Sequence, residues 1–98
     1  MCGIIGIISN DNVTDKLFKG LRKLEYRGYD SSGIATINNS AINCIKSEGN
    51  LNQLEKKLIN VNLPGNIGIG HTRWATHGVA NEVNAHPHIT DEVAIVHN

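Results

Sequence analysis

Residues 2–8 read CGIIGII, and this stretch decides how the rest of the chain is arranged. A nearly continuous apolar run that is rich in β-branched isoleucine is typical of a β-strand covered on both faces. The polar residues 9–12, SNDN, then supply a turn and side chains suited to capping a helix. The sequence therefore predicts an N-terminal strand that is followed directly by a helix.

The later segments alternate between helical and strand-like periodicity. Apolar residues at Val13, Leu17, Leu21 and Leu24 recur at helical spacing, which predicts an amphipathic helix from Val13 onward. The other predicted elements are a polar loop over 27–33, a hairpin of strands 34–37 and 42–45 joined across 38–40, a helix over 51–59 that ends before Pro64, and strands over 67–69 and 93–96 separated by a histidine-rich loop. This mixture predicts an α+β fold.

Composition excludes several classes of protein. The 98 residues suffice for one small domain, and nine basic and nine acidic residues give a net charge of zero. That balance argues against a nucleic-acid-binding surface or a polybasic membrane patch. The sequence has no apolar run of about 18 residues, no signal peptide, and only two cysteines. We therefore expect a cytoplasmic protein with no nucleic-acid or membrane partner.

The last residues suggest that the chain is a fragment of a larger domain. Residues 92–98 stop at the end of a predicted buried strand, with no returning element and no polar tail. The backbone groups of such a strand still need hydrogen-bond partners. We expect those partners to lie in residues that follow Asn98.

Cys2 has the chemistry of an N-terminal nucleophile. Removal of the initiator methionine would leave a thiol and a free α-amine on the same residue. The unperturbed pKa of an α-amine is about 7.7–8.0, so the amine can accept the thiol proton directly or through one water. Such a nucleophile needs no separate histidine. The alternative is a buried structural cysteine at the start of a strand, because free cysteine is among the most buried residue types.

A second group of candidate residues lies in residues 70–78, GHTRWATHG. The segment leaves a short strand and turns polar, which predicts a loop at a sheet edge, where binding residues tend to lie. Arg73 offers a planar fork that can grip a carboxylate, and Trp74 offers a flat lid that can exclude water. Asn98 can donate to an oxyanion through its side-chain amide. The plainer alternatives are a surface arginine, a core tryptophan and an exposed asparagine.

All five histidines lie from His71 onward. His86, His88 and His97 are interpreted as residues that fix loops, since one imidazole can tie two backbone groups together. A zinc site is the alternative, but structural zinc usually has four ligands in closely paired spacings. His71 and His77 are six residues apart, and His86 with His88 forms only one short pair.

Several stretches together carry a resemblance to a known family. MCGIIG at residues 1–6 and LEYRGYDSSG at 24–33 resemble the start of the class II glutamine amidotransferases. HTRWATHG at 71–78, EVNAHPH at 82–88 and VHN at 96–98 are more selective, and they are similar to the glutaminase domain of the members that aminate fructose 6-phosphate. The resemblance implies an N-terminal-nucleophile hydrolase fold, a four-layer αββα sandwich, of which residues 1–98 are the N-terminal portion.

The same resemblance implies catalytic roles. Cys2 is the nucleophile, its α-amine is the base, and Asn98 supplies the side chain of the oxyanion hole. Arg27 supports the surroundings of the nucleophile. The family also requires a glycine directly after Asn98 and a later aspartate, which the 98 residues lack, so we expect the fragment alone to be inactive.

The implied substrate is L-glutamine. The residues expected to bind it are Arg73, which takes the α-carboxylate, and Trp74, Thr76 and His77. Ammonia would pass to a sugar-phosphate domain absent from this sequence and aminate fructose 6-phosphate there, with no metal or organic cofactor in the glutaminase half and a homo-oligomeric parent enzyme. Two alternatives stay open: the glutaminase domain of a purine-pathway amidotransferase, and a piece with no function of its own.

Overall fold

Two α-helices and six strands form from residues 1–98, all of which the computed structural model of the protein describes. In chain order they are β1 (Gly3–Ile8), α1 (Thr14–Leu24), β2 (Ser31–Asn38), β3 (Ala41–Glu48), α2 (Leu51–Ile59), β4 (Ile67–Arg73), β5 (His88–Ile89) and β6 (Ala94–Ile95). A single 3₁₀ turn, Glu25–Arg27, follows α1. The predicted α+β class and both predicted helices are confirmed.

The main sheet is antiparallel, with its four strands in the order β1-β4-β2-β3. β2 and β3 form the predicted hairpin. β4 lies between β1 and β2, with Thr72 opposite Gly3 and Arg73 opposite Ser31. The C-terminal end of β4 therefore lies beside the N-terminal ends of β1 and β2. The candidate site lies at this end of the sheet.

Both helices pack on the same face of the main sheet. The buried core lies between them and the strands and consists of Val13, Leu17, Leu21, Ile34, Leu51, Leu54 and Leu63. Full burial of one such side chain contributes roughly 1.5–3 kcal/mol. A Cβ at Gly68 would lie 2.7 Å from Leu17 Cδ1, so the absence of a side chain at Gly68 allows α1 to approach β4 closely.

The expectation that β1 is covered on both faces is wrong within these residues. Ile5 and Ile7 pack against the core, but Ile4 is exposed and Ile8 is 82% exposed. The helices cover only one face of the sheet, and β1 lies at the edge of the sheet. An apolar run could not distinguish a strand covered on both faces from one covered on a single face.

Several element boundaries also differ from the predictions. Residues 31–33 belong to β2 and residues 71–73 to β4, because ladder hydrogen bonds satisfy the backbone of these polar stretches. α1 begins without a side-chain cap, and Asn12 Oδ1 instead accepts the N–H of Gly65 at 3.0 Å. The predicted strand 93–96 shortens to β6, which pairs only with β5 and is partly exposed.

Residues 86–97 cross the face of the main sheet opposite the helices. Cys44 Sγ on β3 donates to the carbonyl of Pro87 at 3.9 Å, and His71 on β4 bonds the carbonyl of His97. The described residues thus contain one helical layer, one full sheet and this crossing segment. No helix of the structure is both long and apolar enough to cross a membrane.

Candidate active site

A cavity of about 430 Å³ lies at the edge where β1 begins and β4 ends. Its lining includes six of the seven predicted site residues: Cys2, Arg73, Trp74, Thr76, His77 and Asn98. The remaining lining residues are Gly78, Asn84, His86, His88 and His97. The fold therefore brings the two ends of the sequence to one site, and only Arg27 among the predicted residues lies outside the lining.

Cys2 is held through its backbone and through its sulfur. Its N–H donates to Asn98 Oδ1 at 2.8 Å, and its carbonyl accepts from Arg27 Nε at 2.9 Å. The backbone N–H of Trp74 donates to Cys2 Sγ at 3.4 Å. Arg27 thus supports Cys2 by anchoring its main chain, although it does not line the cavity.

The hydrogen bond to Cys2 fixes the orientation of the Asn98 side chain. Because the N–H of Cys2 is a donor, it must face the amide oxygen of Asn98 and not the nitrogen. Nδ2 of Asn98 then points away from this bond and has no partner among residues 1–98. This arrangement leaves Nδ2 free to donate to an oxyanion beside the thiol.

Arg73 is 8% exposed, so it is not a surface arginine. Its Nη1 donates to the carbonyl of Val79 at 2.9 Å, and its Nη2 donates to the carbonyl of His77. The turn between them uses Gly78 at a φ of 77°, a left-handed conformation that favours glycine. Each Nη carries two N–H groups, so one on each nitrogen remains for a carboxylate.

Trp74 begins an exposed loop at the mouth of the cavity. It is 46% exposed, which rules out a core tryptophan. In the same loop, Thr76 Oγ1 lies 3.2 Å from His77 Nδ1. The predicted loop is therefore present, but it starts after Arg73 and not at Gly70.

Asp30 supports the site from outside the cavity lining, and sequence reasoning did not single it out. Its backbone N–H donates to the carbonyl of Arg73 at 3.0 Å, and its carboxylate accepts the N–H of Ala75 at 2.8 Å. The ring of neighbouring Tyr29 meets Trp74 edge-on, with centroids 6.3 Å apart. The two motif stretches 24–33 and 71–78 thus pack against each other. The sequence signal that could have identified Asp30 is its place in the stretch 24–33.

Three histidine rings pack together next to the cavity, and two of them, His86 and His88, line it. The rings of His71 and His86 are stacked, with centroids 4.2 Å apart and planes 15° from parallel, and His88 tilts against His86 at 4.3 Å. Burial lowers the pKa of His71, the bond to the His97 carbonyl partly opposes this shift, and Arg73 adds to it. Burial, followed by the nearby His71 and His88, lowers the pKa of His86 to about 4. Both stacked rings are therefore uncharged at neutral pH.

Of the three histidines predicted to fix loops, His86 bonds one backbone group, since its Nδ1 accepts the N–H of His97 at 3.3 Å. The rings of His88 and His97 bond no backbone group among residues 1–98, so the predicted role is not seen for them. Among residues 1–98, no group of three His, Cys, Asp or Glu side chains is arranged to hold a metal ion. Ring lone pairs lie in the ring planes, so the nearly parallel rings of His71 and His86 do not converge on one point. This geometry does not support the zinc alternative.

A comparison with solved structures identifies the fold. The chain superposes on glutamine phosphoribosylpyrophosphate amidotransferase from B. subtilis, complexed with ADP and GMP, with a TM-score of 0.75 over 89% of this chain and 18% of that one. At 23% identity this likeness concerns the fold alone. The expected N-terminal-nucleophile hydrolase fold of the glutamine amidotransferases is confirmed. No protein-family model matches the chain.

Sequence comparison adds relatives that match the chain over its whole length. Over all 98 residues the chain is 62% identical to the glutamine–fructose-6-phosphate aminotransferase of Bartonella henselae, 60% to that of Bartonella quintana and 61% to that of Brucella abortus. Over its whole length the chain is therefore similar to glutamine–fructose-6-phosphate aminotransferases, as its motifs predict. It spans 16% of the length of each of these relatives.

Proposed function

We propose that this chain carries the nucleophile of a glutaminase, which releases ammonia from the side chain of L-glutamine. The observation that carries the proposal is the position of Cys2, whose backbone nitrogen lies 2.8 Å from Asn98 Oδ1 at the cavity. Once Met1 is removed, that nitrogen is an amine on the same residue as the thiol. Glutamine is also the nitrogen donor in the name of the relatives.

The reaction uses the amine as a proton shuttle. The Sγ proton passes to the amine while the sulfur bonds to the carboxamide carbon, and the carbonyl electrons move to oxygen, where Asn98 Nδ2 donates. Collapse restores the carbonyl and breaks the C–N bond, and the ammonium returns its proton to the leaving nitrogen, which departs as ammonia. Water then forms a bond to the thioester carbon and gives one proton to the same amine. The C–S bond breaks, the ammonium returns that proton to sulfur, and glutamate is released.

Substrate binding falls to the loop side of the cavity. Arg73 holds the α-carboxylate through the N–H groups that the turn leaves free, with Thr76 and His77 beside it. Trp74 lies at the mouth, where it shields the thioester from bulk water until ammonia has left. The backbone N–H of a glycine after Asn98, and a later aspartate for the α-ammonium, complete this proposed site.

The released ammonia is proposed to aminate fructose 6-phosphate in another part of the protein. The support is the name of the relatives, of which the chain spans 16%. A homo-oligomeric parent, a cytoplasmic location and the inactivity of residues 1–98 alone stay predictions. The purine-pathway alternative has no support beyond the shared fold.

A pair of cysteine variants tests the proposal. In the complete gene product that contains this chain, Cys2→Ala should reduce glutamate release from glutamine to background, since Cys2 carries the one thiol that lines the cavity among residues 1–98. Cys44→Ala should keep activity near the wild-type rate, because Cys44 lies on β3 outside the cavity. Thermal unfolding of both variants checks that they fold. Glutamate release retained by Cys2→Ala would remove Cys2 as the nucleophile.

A further inference from the structure

We propose that His71 and His86 are positioning residues that hold Asn98 in place by bonding both backbone polar groups of His97. His71 Nε2 bonds the carbonyl of His97 at 2.8 Å, and His86 Nδ1 accepts the N–H of His97 at 3.3 Å. Two stacked rings thus bond the two backbone polar groups of His97, the residue directly before Asn98. The inference rests on the proposed glutamine hydrolysis.

These two hydrogen bonds require a specific protonation state of both rings. A carbonyl accepts, so the Nε2 of His71 must carry hydrogen, and the N–H of His97 donates, so the Nδ1 of His86 must not. His71 is fully buried and its Nδ1 has no partner, so a proton there would be a buried, unpaired donor. The nearby cation Arg73 and the neighbouring ring of His88 also disfavour charge on the pair.

Within residues 1–98, little else ties His97 to the main sheet. β6 pairs only with the two residues of β5, and Val93 and Ile95 are both exposed. The bond from Cys2 N–H holds Asn98 Oδ1, but it does not fix the backbone that carries the side chain. Within residues 1–98 the histidine pair is the side-chain link between β4 and this backbone, so it sets where Asn98 Nδ2 lies relative to the thiol.

Matched variants of each histidine separate hydrogen bonding from ring volume. In the complete gene product, His71→Leu and His86→Leu remove the bonds, whereas His71→Gln retains a donor near Nε2 and His86→Asn retains an acceptor near Nδ1. Loss of an oxyanion donor itself costs roughly 10²–10³-fold in rate. We expect each leucine variant to lower kcat at least ~10-fold within that limit, with KM little changed, and the amide variants to recover most of the loss.

Two further variants show whether the loss is positional. Thr36→Val removes a buried bond from Thr36 Oγ1 to the carbonyl of Pro64, outside the cavity, and should lower stability without lowering kcat. In an Asn98→Ala background, His71→Leu and His86→Leu should have no further effect on kcat, because they act through Asn98. An equal loss in that background, or wild-type kcat in both folded leucine variants, would overturn the proposal.

A readout that needs no activity keeps this test separate from the proposed function. Hydrogen exchange at the His97 amide, measured by mass spectrometry on the same proteins, should speed up in His86→Leu and stay slow in His86→Asn. If wild-type protein released no glutamate, the proposed function would fail, and this exchange would still decide whether the histidines hold residue 97. Equal rates of hydrogen exchange at the His97 amide in wild type and His86→Leu would overturn the proposal that His86 holds residue 97.

Discussion

Substitution of Gly28 by alanine should disturb the candidate site through its contact with the Arg73–Trp74 peptide. Gly28 follows the 3₁₀ turn with a φ of 179°, an extended conformation that any residue adopts, so the change introduces no backbone strain. A Cβ there would lie 2.6 Å from the carbonyl carbon of Arg73 and 2.7 Å from the nitrogen of Trp74. Ordinary contact begins at 3.4 Å, so the Arg73–Trp74 peptide must move by about 0.8 Å.

That displacement sets the expected magnitude. Overpacking of this kind typically costs about 1–3 kcal/mol, so Gly28→Ala should lower Tm. The moved peptide carries the N–H that bonds Cys2 Sγ at 3.4 Å and the backbone of Arg73. A misplacement near 1 Å can cost ~10²-fold in rate, so we expect kcat/KM for glutamine to fall by about that factor.

The assay compares Gly28→Ala with Gly6→Ala by thermal unfolding and by glutamate release. Among residues 1–98, a Cβ at Gly6 on β1 would have its nearest neighbour at 3.8 Å, so within these residues this variant adds the same methyl group without a clash. Gly6→Ala should match the wild type in both measurements. If Gly28→Ala matched Gly6→Ala, the close approach of the two motif stretches, and the reasoning built on it, would be refuted.

Two other predictions concern binding and pH. Arg73→Lys should raise KM for glutamine more than it lowers kcat, because lysine keeps the charge but loses the two-pronged geometry of the guanidinium. The expected loss of binding free energy is about 1.5–3 kcal/mol. Steady-state kinetics with an unchanged KM would place Arg73 outside the binding site. The pKa of His86 falls to about 4 in the folded chain from an ordinary 6.5. The unfolded chain therefore gains a proton first, and the free energy of unfolding should decrease as pH falls from 6.5 towards 4. Denaturant titrations across that range should show this slope weakened in His86→Asn, and an unaltered slope would exclude His86 as its source.

The elements with strong periodicity could be predicted from sequence alone. The spacing from Val13 to Leu24 fixed one face of α1, and the two apolar runs around residues 38–40 indicated the hairpin. The boundaries failed where tertiary pairing outweighed local composition. Ser31 and Thr72 read as loop residues, but their backbones pair within the sheet and their side chains are buried.

The members of the site could be named, but not their arrangement. A thiol beside a potential α-amine is visible at Cys2, and the motif stretches supplied the other candidates through family resemblance. Nothing local shows that Asn98 Oδ1 faces the nitrogen of Cys2, because the two residues lie at opposite ends of the chain. The stacking of His71 on His86 likewise depends on how residues 86–97 cross the sheet, which no periodicity encodes.

The most direct test of the central claim compares one protein with and without a residue before Cys2. With Met1 attached, the nitrogen of Cys2 is an amide, which cannot take the thiol proton. The complete gene product is made behind an N-terminal tag, and half is treated with a protease whose cut leaves Cys2 first, as confirmed by intact mass. Glutamate release should appear only in the cut sample. Equal activity in the uncut sample would contradict the α-amine mechanism, and Cys2 would need another base.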